Sequence, residues 1–437
     1  MSYSEAVQYL MSLMGDIRGS NFGLQRMEAL TACLAEPQRS FRVVHVAGTN
    51  GKGSTAAMIE SGLRAAGYST GLYTSPHLIR FNERFKINGK DASDEQFAAA
   101  VAEVRVANER LAAGDGGEKH ATLFESVTAA AFCAFRSARV DWGVIEVGLG
   151  GRLDATNVVL PEVAAITSID FDHEAFLGKS AAFIAGEKAG ILKRGSKAVT
   201  APQKPQASEV ISKRAAELGI SLVQAGVDWR AESVTHRDGY YRFEAVKTAD
   251  PSTEDRLTVA LPLAGEHQVE NALTAIAALD AVGISRPAIR QGIEQARWPG
   301  RLEYFEGQPA ILVDAAHNPA GARVLARFLE KHHAGRTIHL IYGAVRDKAI
   351  DEVADLLFAR VHRVILTRSR VSRSISSEAL RQMVDHLHTK IETAPSVEQA
   401  IDLARRGARP EDLIVIAGSI FLIGEAKEAL EAVVAKG

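Results

Sequence analysis

One segment of the sequence combines glycines, a lysine and two hydroxyls in a spacing that could bind phosphate. An apolar, β-branched run over 43–47 leads directly into the residues Gly48, Thr49, Asn50, Gly51, Lys52, Gly53, Ser54 and Thr55. Glycines let backbone N–H groups close around an anion, and the N-terminus of a following helix adds a favourable dipole. Lys52 can reach terminal phosphates, and the hydroxyl of Ser54 or Thr55 can bind Mg²⁺. The segment predicts a nucleoside triphosphate site.

The segment departs from the general phosphate-loop pattern G-x-x-x-x-G-K-[ST] at two positions. That pattern places glycine where this chain has Val46 and a hydroxyl where it has Gly53, so the hydroxyls are displaced by one residue. A glycine-rich turn between a strand and a helix can also be purely structural. The lysine flanked by glycines, directly before two hydroxyls, favours the phosphate-binding interpretation.

Around this loop, short apolar segments typical of strands alternate with segments whose apolar residues have helical spacing. Such alternation is typical of a parallel α/β sheet. We predict helices over 93–113 and 123–138, and strands over 42–47, 70–73, 141–147 and 163–169. Polar and apolar residues then alternate over 226–261, with Asp238-Gly239 as a hairpin turn, which predicts an antiparallel excursion at the sheet edge.

A second α/β domain follows a helix-rich stretch, 267–296. Pro299-Gly300 marks a break, so we place the boundary there and predict domains over 1–296 and 297–437. The first domain is predicted to contain a mostly parallel sheet and to be of the P-loop type. The second is smaller and Rossmann-like, with strands predicted over 310–313, 337–342, 362–366 and 412–417.

Polar clusters fall where several of the predicted strands end. They include 74–77, Glu146 with the glycines of 148–151, 170–173 and, in the second domain, 314–319. Ligands of open α/β sheets bind at the carboxyl ends of strands. Each cluster could be an ordinary polar loop, but several in register with a phosphate loop indicate a site.

Composition sets limits on the function. The chain has 437 residues, 46% hydrophobic and 24% charged, and a formal net charge of −2, which argues against a nucleic-acid or membrane surface. No apolar run approaches the roughly 20 residues of a membrane span. Cys33 and Cys133 lie among apolar residues and predict buried free thiols. Because no export signal is recognisable, we expect a cytoplasmic protein.

Taken together, these segments resemble the Mur ligase superfamily, and within it the folylpolyglutamate synthase/dihydrofolate synthase family. The N-terminal matches are GTNGKGS at 48–54, YTSPHLIRFNER at 73–84, TLFE at 122–125, EVGLGGRLDATN at 146–157, Asp172-His173 and EKAGI at 187–191. The later matches are GEHQVENALTA at 265–275, PGRLE at 299–303 and DAAHNP at 314–319. They follow the family order over most of the chain.

The resemblance implies ATP-driven amide formation through an acyl phosphate, with L-glutamate as the incoming amine. By this resemblance, Lys52 and the backbone of 48–54 hold the phosphates, Ser54, Ser75 and Glu146 bind Mg²⁺, and Glu146 with His173 holds a second Mg²⁺. Lysine offers no acceptor atom for a metal. In the family, the lysine that Lys188 matches is carbamylated, which makes it an anionic oxygen ligand. The sequence alone would make Lys188 a solvated helix residue or an ion-pair partner of Glu187.

The remaining site residues are implied by the same resemblance. ATP contacts are expected from Asn271, Arg301, Asp314 and His317, which would clamp the nucleotide between the domains. The dihydropteroate pocket is expected to be lined by Phe22, Gly23, Leu24, Thr122, Phe124, Asp154 and Ala155. An aromatic residue such as Phe124 can equally belong to a core. We expect small-molecule partners only, and a monomer.

Three other interpretations remain open at this stage. A peptidoglycan-type Mur ligase would share the chemistry, but such enzymes usually carry a separate substrate domain before the phosphate loop. A P-loop NTPase that works as a switch would leave the second domain without a role. A non-catalytic nucleotide-binding protein would leave the other polar groups unused. The sequence does not fix the balance between adding the first glutamate to dihydropteroate and extending a reduced folate.

Overall fold

The fold is given by a computed structural model that describes residues 1–14, 23–115, 120–170, 180–248, 255–346 and 349–434. The chain divides into two units. The first comprises Met1–Thr235, Arg242–Pro262 and Gln268–Arg297, and the second comprises His236–Tyr241, Leu263–His267 and Trp298–Gly437.

The first unit is built on a large sheet covered by helices. Its strands within the described residues are β1 (Arg42–Ala47), β2 (Thr70–Tyr73), β3 (Phe85–Ile87), β4 (Lys90–Asp91), β5 (Trp142–Glu146), β6 (Val163–Ile166), β7 (Lys197–Thr200) and β8 (Leu222–Gln224). The helices lying wholly or mainly in this unit are α1 (Tyr3–Ser12), α2 (Gln25–Cys33), α3 (Lys52–Ala65), α4 (Asp94–Asp115), α5 (Leu123–Ser137), α6 (Ala181–Ala189), α7 (Pro205–Leu218), α8 (His267–Ala281) and α9 (Arg286–Gln295).

The spatial order of the strands places the carboxyl ends of β2, β5, β1 and β6 side by side. The order is β4-β3-β2-β5-β1-β6-β7-β8, and β3 alone among these strands runs opposite to the others, so its pairs with β2 and β4 are antiparallel. In the register, Val46 lies opposite Glu146, and Ala47 lies opposite Ile166. The loops that follow these four strands therefore meet at one edge of the sheet.

The core of the first unit consists mainly of apolar side chains that the helices bury. Phe97 on α4 and Phe132 on α5 belong to one cluster, and Ile184 on α6 and Ile211 on α7 belong to another. Cys133 is buried as predicted, but the prediction was wrong for Cys33, which is exposed. Helical spacing turns its neighbours Leu30 and Leu34 inward and leaves Cys33 facing solvent.

Three further strands form a separate antiparallel sheet. They are β9 (Trp229–Arg237), β10 (Tyr240–Lys247) and β11 (Arg256–Ala260), in the order β11-β10-β9. Asp238 and Gly239 have φ of 52° and 82°, which confirms the predicted hairpin turn. The predicted excursion at the edge of the main sheet is wrong. The alternating strands bury one face only, as Tyr241 and Phe243 show, whereas the main parallel sheet is buried on both.

The second unit contains another mostly parallel sheet. Its strands are β12 (Glu303–Phe305), β13 (Ala310–Asp314), β14 (Ile338–Tyr342), β15 (Arg363–Leu366), β16 (Ile391–Thr393) and β17 (Leu413–Ala417), in the order β12-β13-β17-β14-β15-β16. Its helices are α10 (Pro319–His332), α11 (Ile350–Phe358), α12 (Ser377–Val384), α13 (Val397–Gly407) and α14 (Ile420–Val434). Only β12 pairs antiparallel.

The predicted fold class is confirmed, because both units carry mostly parallel sheets with helices between the strands. Among the described helices, none combines the length and the apolar composition that crossing a membrane would require.

Candidate active site

The predicted phosphate loop connects the end of β1 to the start of α3. Gly48 and Gly51 have positive φ, of 151° and 83°. A Cβ at Gly48 would collide with the Thr167 hydroxyl, and one at Gly51 would collide with the Asn271 amide. Both positions therefore require glycine, for conformation and for space.

Hydrogen bonds to the segment that follows β6 fix the loop. The N–H of Thr49 donates to the Ser168 carbonyl at 2.9 Å, and the Thr167 hydroxyl donates to the Asn50 carbonyl at 2.7 Å. The Thr49 hydroxyl donates to the Asp170 carbonyl at 2.9 Å. Lys52 is half-buried, and its Nζ donates to the Thr49 carbonyl at 3.1 Å. The lysine amine thus lies over the predicted phosphate loop.

The two hydroxyls after the lysine are buried in the first turn of α3. Ser54 Oγ accepts a hydrogen bond from Gln268 Nε2 at 3.4 Å. Thr55 Oγ1 has no hydrogen-bond partner among the described residues. Gln268 also accepts from Asn271 Nδ2 at 3.0 Å, so α8 supports the loop from the side. Sequence reasoning missed Gln268, although it lies within the matched segment 265–275.

Glu146 and Ser75 meet at the carboxyl ends of β5 and β2. Glu146 Oε2 accepts a hydrogen bond from the N–H of Ser75 at 3.1 Å, and only 5% of Glu146 is exposed. This contact brings together two of the predicted metal ligands. Ser75 is half-buried. The two residues offer a carboxylate and a hydroxyl, the hard oxygen donors that suit Mg²⁺.

Lys188 is buried near the end of α6, with 4% exposed. Its Nζ donates to the carbonyl of Gly48 at 2.7 Å, which places it against the phosphate loop. Glu187 pairs instead with Arg152, at 2.9 Å. The interpretations of Lys188 as a solvated residue or as the ion-pair partner of Glu187 are therefore wrong. Gly151 packs against the backbone of residues 187 and 188 and so permits this close approach.

Residues 148–157, which have the sequence GLGGRLDATN, fold around Asp154. Its Oδ1 accepts from the N–H of Thr156 at 3.0 Å, and its Oδ2 accepts from the N–H of Leu149 at 2.8 Å. Burial raises the pKa of Asp154. Ala155 is buried beside it. The Asp154 carboxylate therefore holds the loop in shape.

Thr122 and Phe124 lie at the start of α5. Thr122 Oγ1 accepts from the N–H of Glu125 at 3.4 Å, and Glu125 Oε2 accepts from the N–H of Thr122 at 2.7 Å, which forms a capping box. The half-buried ring of Phe124 packs against Gly148, where a Cβ would collide with it. The α5 segment and the loop after β5 therefore meet at Phe124.

His173 lies outside the described residues, as do Asp172 and Phe22. Within the described ranges, no group of three or more His, Cys, Asp or Glu side chains is arranged to hold a metal ion.

In the second unit, Asp314 organises the loops at the carboxyl end of β13. Its Oδ2 accepts from the N–H of Leu302 and its Oδ1 from the N–H of Ala316, each at 2.9 Å. Burial raises the pKa of Asp314, and the positive charge of Arg301 lowers it in part. His317 Nδ1 lies 2.9 Å from the Ala315 carbonyl. Arg301, Asp314 and His317 therefore belong to one loop cluster.

Family models match both parts of the chain. The Mur ligase middle domain matches residues 46–279, and the Mur ligase glutamate ligase domain matches residues 300–420. The matched models and the fold define an ATP-dependent, amide-forming ligase of the Mur type.

Individual relatives match nearly the whole chain. The Bacillus subtilis dihydrofolate synthase/folylpolyglutamate synthase is 35% identical, over 94% of this chain and 95% of its own length. The Mycobacterium tuberculosis folylpolyglutamate synthase complexed with ADP and AMPPCP has a TM-score of 0.90 at 32% identity, covering 98% and 99% of the two chains.

A Yersinia pestis bifunctional folylpolyglutamate synthase/dihydrofolate synthase, complexed with AMPPNP and Mn ion, has a TM-score of 0.84 at 31% identity, covering 99% and 98% of the two chains. The chain belongs to the folylpolyglutamate synthase/dihydrofolate synthase family.

Proposed function

We propose that this chain uses ATP to join L-glutamate to dihydropteroate, to the γ-carboxylate of a folate, or to both. The observation that carries the proposal is the meeting of four features at one sheet edge. These are the phosphate loop, Ser75, Glu146 and Lys188. One hydrogen bond joins Ser75 to Glu146, and another joins Lys188 to Gly48 of the loop. The names and ligands of the relatives support the same reaction.

The chemistry requires charge stabilisation and positioning more than a protein nucleophile. The substrate carboxylate attacks the γ-phosphorus of ATP, the bond to the β-phosphate oxygen breaks, and ADP leaves. The glutamate amine then attacks the acyl phosphate carbon, and phosphate leaves as the amide forms. Lys52 and the N–H groups of 48–54 hold the β- and γ-phosphates. This role fits the position of the Lys52 amine over the loop.

Ser54, Ser75 and Glu146 are proposed to bind Mg²⁺. The donor set fits, because it consists of two hydroxyls and a carboxylate near the phosphate loop. The buried Thr55 hydroxyl beside Ser54, which has no hydrogen-bond partner among the described residues, also supports a polar ligand there. Bound Mg²⁺ would neutralise part of the phosphate charge. We propose two ions, the second held by Glu146 and His173.

Lys188 is proposed to carry a carbamate. Lysine as such has no acceptor for a metal, whereas a carbamate supplies two anionic oxygens. A carbamate also keeps one N–H, so the hydrogen bond to the Gly48 carbonyl can be retained. Its place against the phosphate loop supports a role near the transferring phosphoryl group.

The remaining assignments follow the family match. Asn271, Arg301, Asp314 and His317 are proposed to bind ATP, and Thr122, Phe124, Asp154 and Ala155 to bind the folate substrate. We also propose domain bounds of 1–296 and 297–437, and a monomer. The free state of Cys33 and Cys133 supports a cytoplasmic location.

The test is ADP release from Mg²⁺ and ATP in the presence of L-glutamate. The acceptors compared are dihydropteroate, tetrahydrofolate, a UDP-muramyl substrate and none. We expect release to require both glutamate and a pterin, and the two pterin rates to show which activity dominates. Release that ignores glutamate and every acceptor would identify a plain NTPase. Release only with the UDP-muramyl substrate would identify a peptidoglycan-type ligase.

A further inference from the structure

Arg84 is a buried arginine directly before β3. Only 8% of the residue is exposed, and its carbonyl accepts a hydrogen bond from the N–H of Thr74 at 2.8 Å. This contact ties it to the loop after β2, one residue before Ser75. Nothing in the reaction described above uses its guanidinium.

The guanidinium contacts a histidine and an aromatic ring. Its Nε donates to His77 Nδ1 at 2.9 Å, and its central carbon lies 5.2 Å from the centre of the Phe81 ring. Because a guanidinium can only donate, His77 accepts this hydrogen bond with an unprotonated ring nitrogen. No carboxylate among the described residues forms an ion pair with Arg84.

The nearest acidic neighbour in sequence, Glu83, favours the charged form of Arg84 through its charge, but its oxygens form their hydrogen bonds with other groups. Glu83 uses its carboxylate oxygens to accept from the N–H groups of Leu78, Ile79 and Arg80, at 2.7–2.9 Å. Arg26, another partly buried arginine of this unit, pairs with Glu125 at 3.1 Å. Burying a cation without an anion is costly, and arginine does not escape the cost by losing its proton. A bound anion would remove that cost.

The position of Arg84 indicates which anion this is. Its backbone contact with Thr74 brings it close to Ser75, whose N–H donates to Glu146. It also lies near Tyr73, whose hydroxyl is 2.9 Å from Thr128 Oγ1 and whose ring centre is 6.5 Å from that of Phe124. Burial lowers the pKa of Arg84, while the Tyr73 hydroxyl and the charge of Glu83 favour its charged form. Arg84 therefore lies next to Tyr73 and Thr74, whose neighbours include the proposed metal ligands Ser75 and Glu146 and the proposed folate-pocket residue Phe124.

We propose that Arg84 binds the carboxylate of the folate-type substrate that accepts the γ-phosphoryl group. The inference rests on the proposed function. A planar guanidinium can hold a carboxylate by two parallel hydrogen bonds, which fixes its orientation. The cation also offsets the repulsion between this carboxylate and the phosphates of ATP, two anions that must approach each other for the reaction.

The experiment compares two ligands on two proteins. Binding of dihydropteroate and of its analogue with hydrogen in place of the carboxylate is measured by calorimetry, without ATP. We expect the wild type to prefer dihydropteroate. In Arg84→Gln, dihydropteroate should bind roughly 10- to 100-fold more weakly, as expected for loss of a charged hydrogen bond, while the analogue binds as before.

Arg136→Gln is the matched control. Arg136 is a half-buried arginine that is already paired with Glu103, so its replacement should leave the preference for the carboxylate intact. Should Arg84→Gln fail to fold, Arg84→Lys carries the same test. It keeps the charge but loses the second hydrogen bond, so we expect the preference to fall only in part.

Two results would overturn the inference while leaving the proposed function intact. One is equal weakening of both ligands by Arg84→Gln, which indicates a structural role. The other is an unchanged preference for the carboxylate. If the wild type binds neither ligand, the folate pocket itself is wrong, and the inference falls with it.

Discussion

At the scale of single residues, the proposed role of the Lys52 amine is to supply positive charge to the phosphates of ATP. Within the described part of the chain its amine donates a hydrogen bond to the Thr49 carbonyl, and the side chain is half-buried, so we expect the fold to depend little on it. We expect Lys52→Ala to lower ADP release by on the order of 10²–10³-fold, because a preorganised cation at the transferring phosphoryl group is lost. The thermal unfolding curve should stay close to that of the wild type.

The control for this prediction is Lys197→Ala. Lys197 begins β7, at the edge of the sheet opposite the phosphate loop, and donates to the Ala281 carbonyl. Its replacement should leave turnover unchanged. Wild-type turnover in Lys52→Ala would remove the phosphate-loop assignment.

A second prediction at this scale concerns the modification of Lys188. Protein equilibrated with ¹³C-bicarbonate should show a carbamate carbon in its NMR spectrum, and Lys188→Ala should lose both that signal and nearly all turnover. Formate or acetate should restore part of the activity, because a short carboxylate can occupy the space of the carbamate. Lys188→Arg should not be rescued, since its side chain fills that space. A wild-type spectrum without the signal, together with failed rescue, would contradict the modification.

The residues that sequence alone could bring together are those at strand ends. Ser75 and Glu146 follow adjacent parallel strands, so their contact follows from topology. Gln268 and Arg84 were missed for a different reason. Gln268 reaches Ser54 from a helix more than 200 residues away in sequence, and Arg84 is notable only because it is buried without a carboxylate. Neither property is encoded in a local pattern.

At the scale of elements, the position of α3 depends on its contact with α9. Gly292 lies so close to Gly62 that a Cβ at position 292 would collide with the backbone at 61–62. Gly292→Ala must therefore push the two helices apart. We expect this to lower the free energy of unfolding by about 1–3 kcal/mol, the usual cost of overpacking. Urea unfolding followed by circular dichroism measures the loss.

The matched control is Gly186→Ala in α6. Gly186 is also a helical glycine, but a Cβ there would meet no atom within 4 Å. Alanine has the higher helix propensity, so the substitution should be neutral or stabilise by up to about 1 kcal/mol. If both substitutions had the same effect, the close contact between α3 and α9 would not be the cause.

The elements that the sequence predicted are the long or fully buried ones. β1, β5, β13 and β17 are apolar runs bounded by polar residues or glycine, and each was predicted to within about two residues. The strands that were missed include β4, a pair of exposed residues, and β16, which is three residues long. Such strands form because a neighbouring edge offers hydrogen bonds, and their own residues carry little periodicity.

At the scale of the whole molecule, histidines couple stability to pH. Burial lowers the pKa of His45 and His77 to about 3 in the first unit. It lowers the pKa of His267 and His333 to about 4 in the second. In the unfolded chain these groups titrate near pH 6.5. Below that pH the unfolded chain binds protons that the folded protein does not, so stability falls as the pH is lowered.

We therefore expect the free energy of unfolding to be highest above pH 6.5 and to fall between pH 6.5 and about 4. Each such histidine contributes a slope of up to about 1.4 kcal/mol per pH unit. Urea unfolding at pH 7, 6 and 5 measures this slope. His45→Gln keeps a donor for the hydrogen bond to Thr156 but does not titrate. The free energy of unfolding of this variant should therefore depend less steeply on pH, by the contribution of one histidine. A stability that is flat from pH 7 to 5, or a variant with the wild-type slope, would show that these imidazoles are protonated in the folded protein.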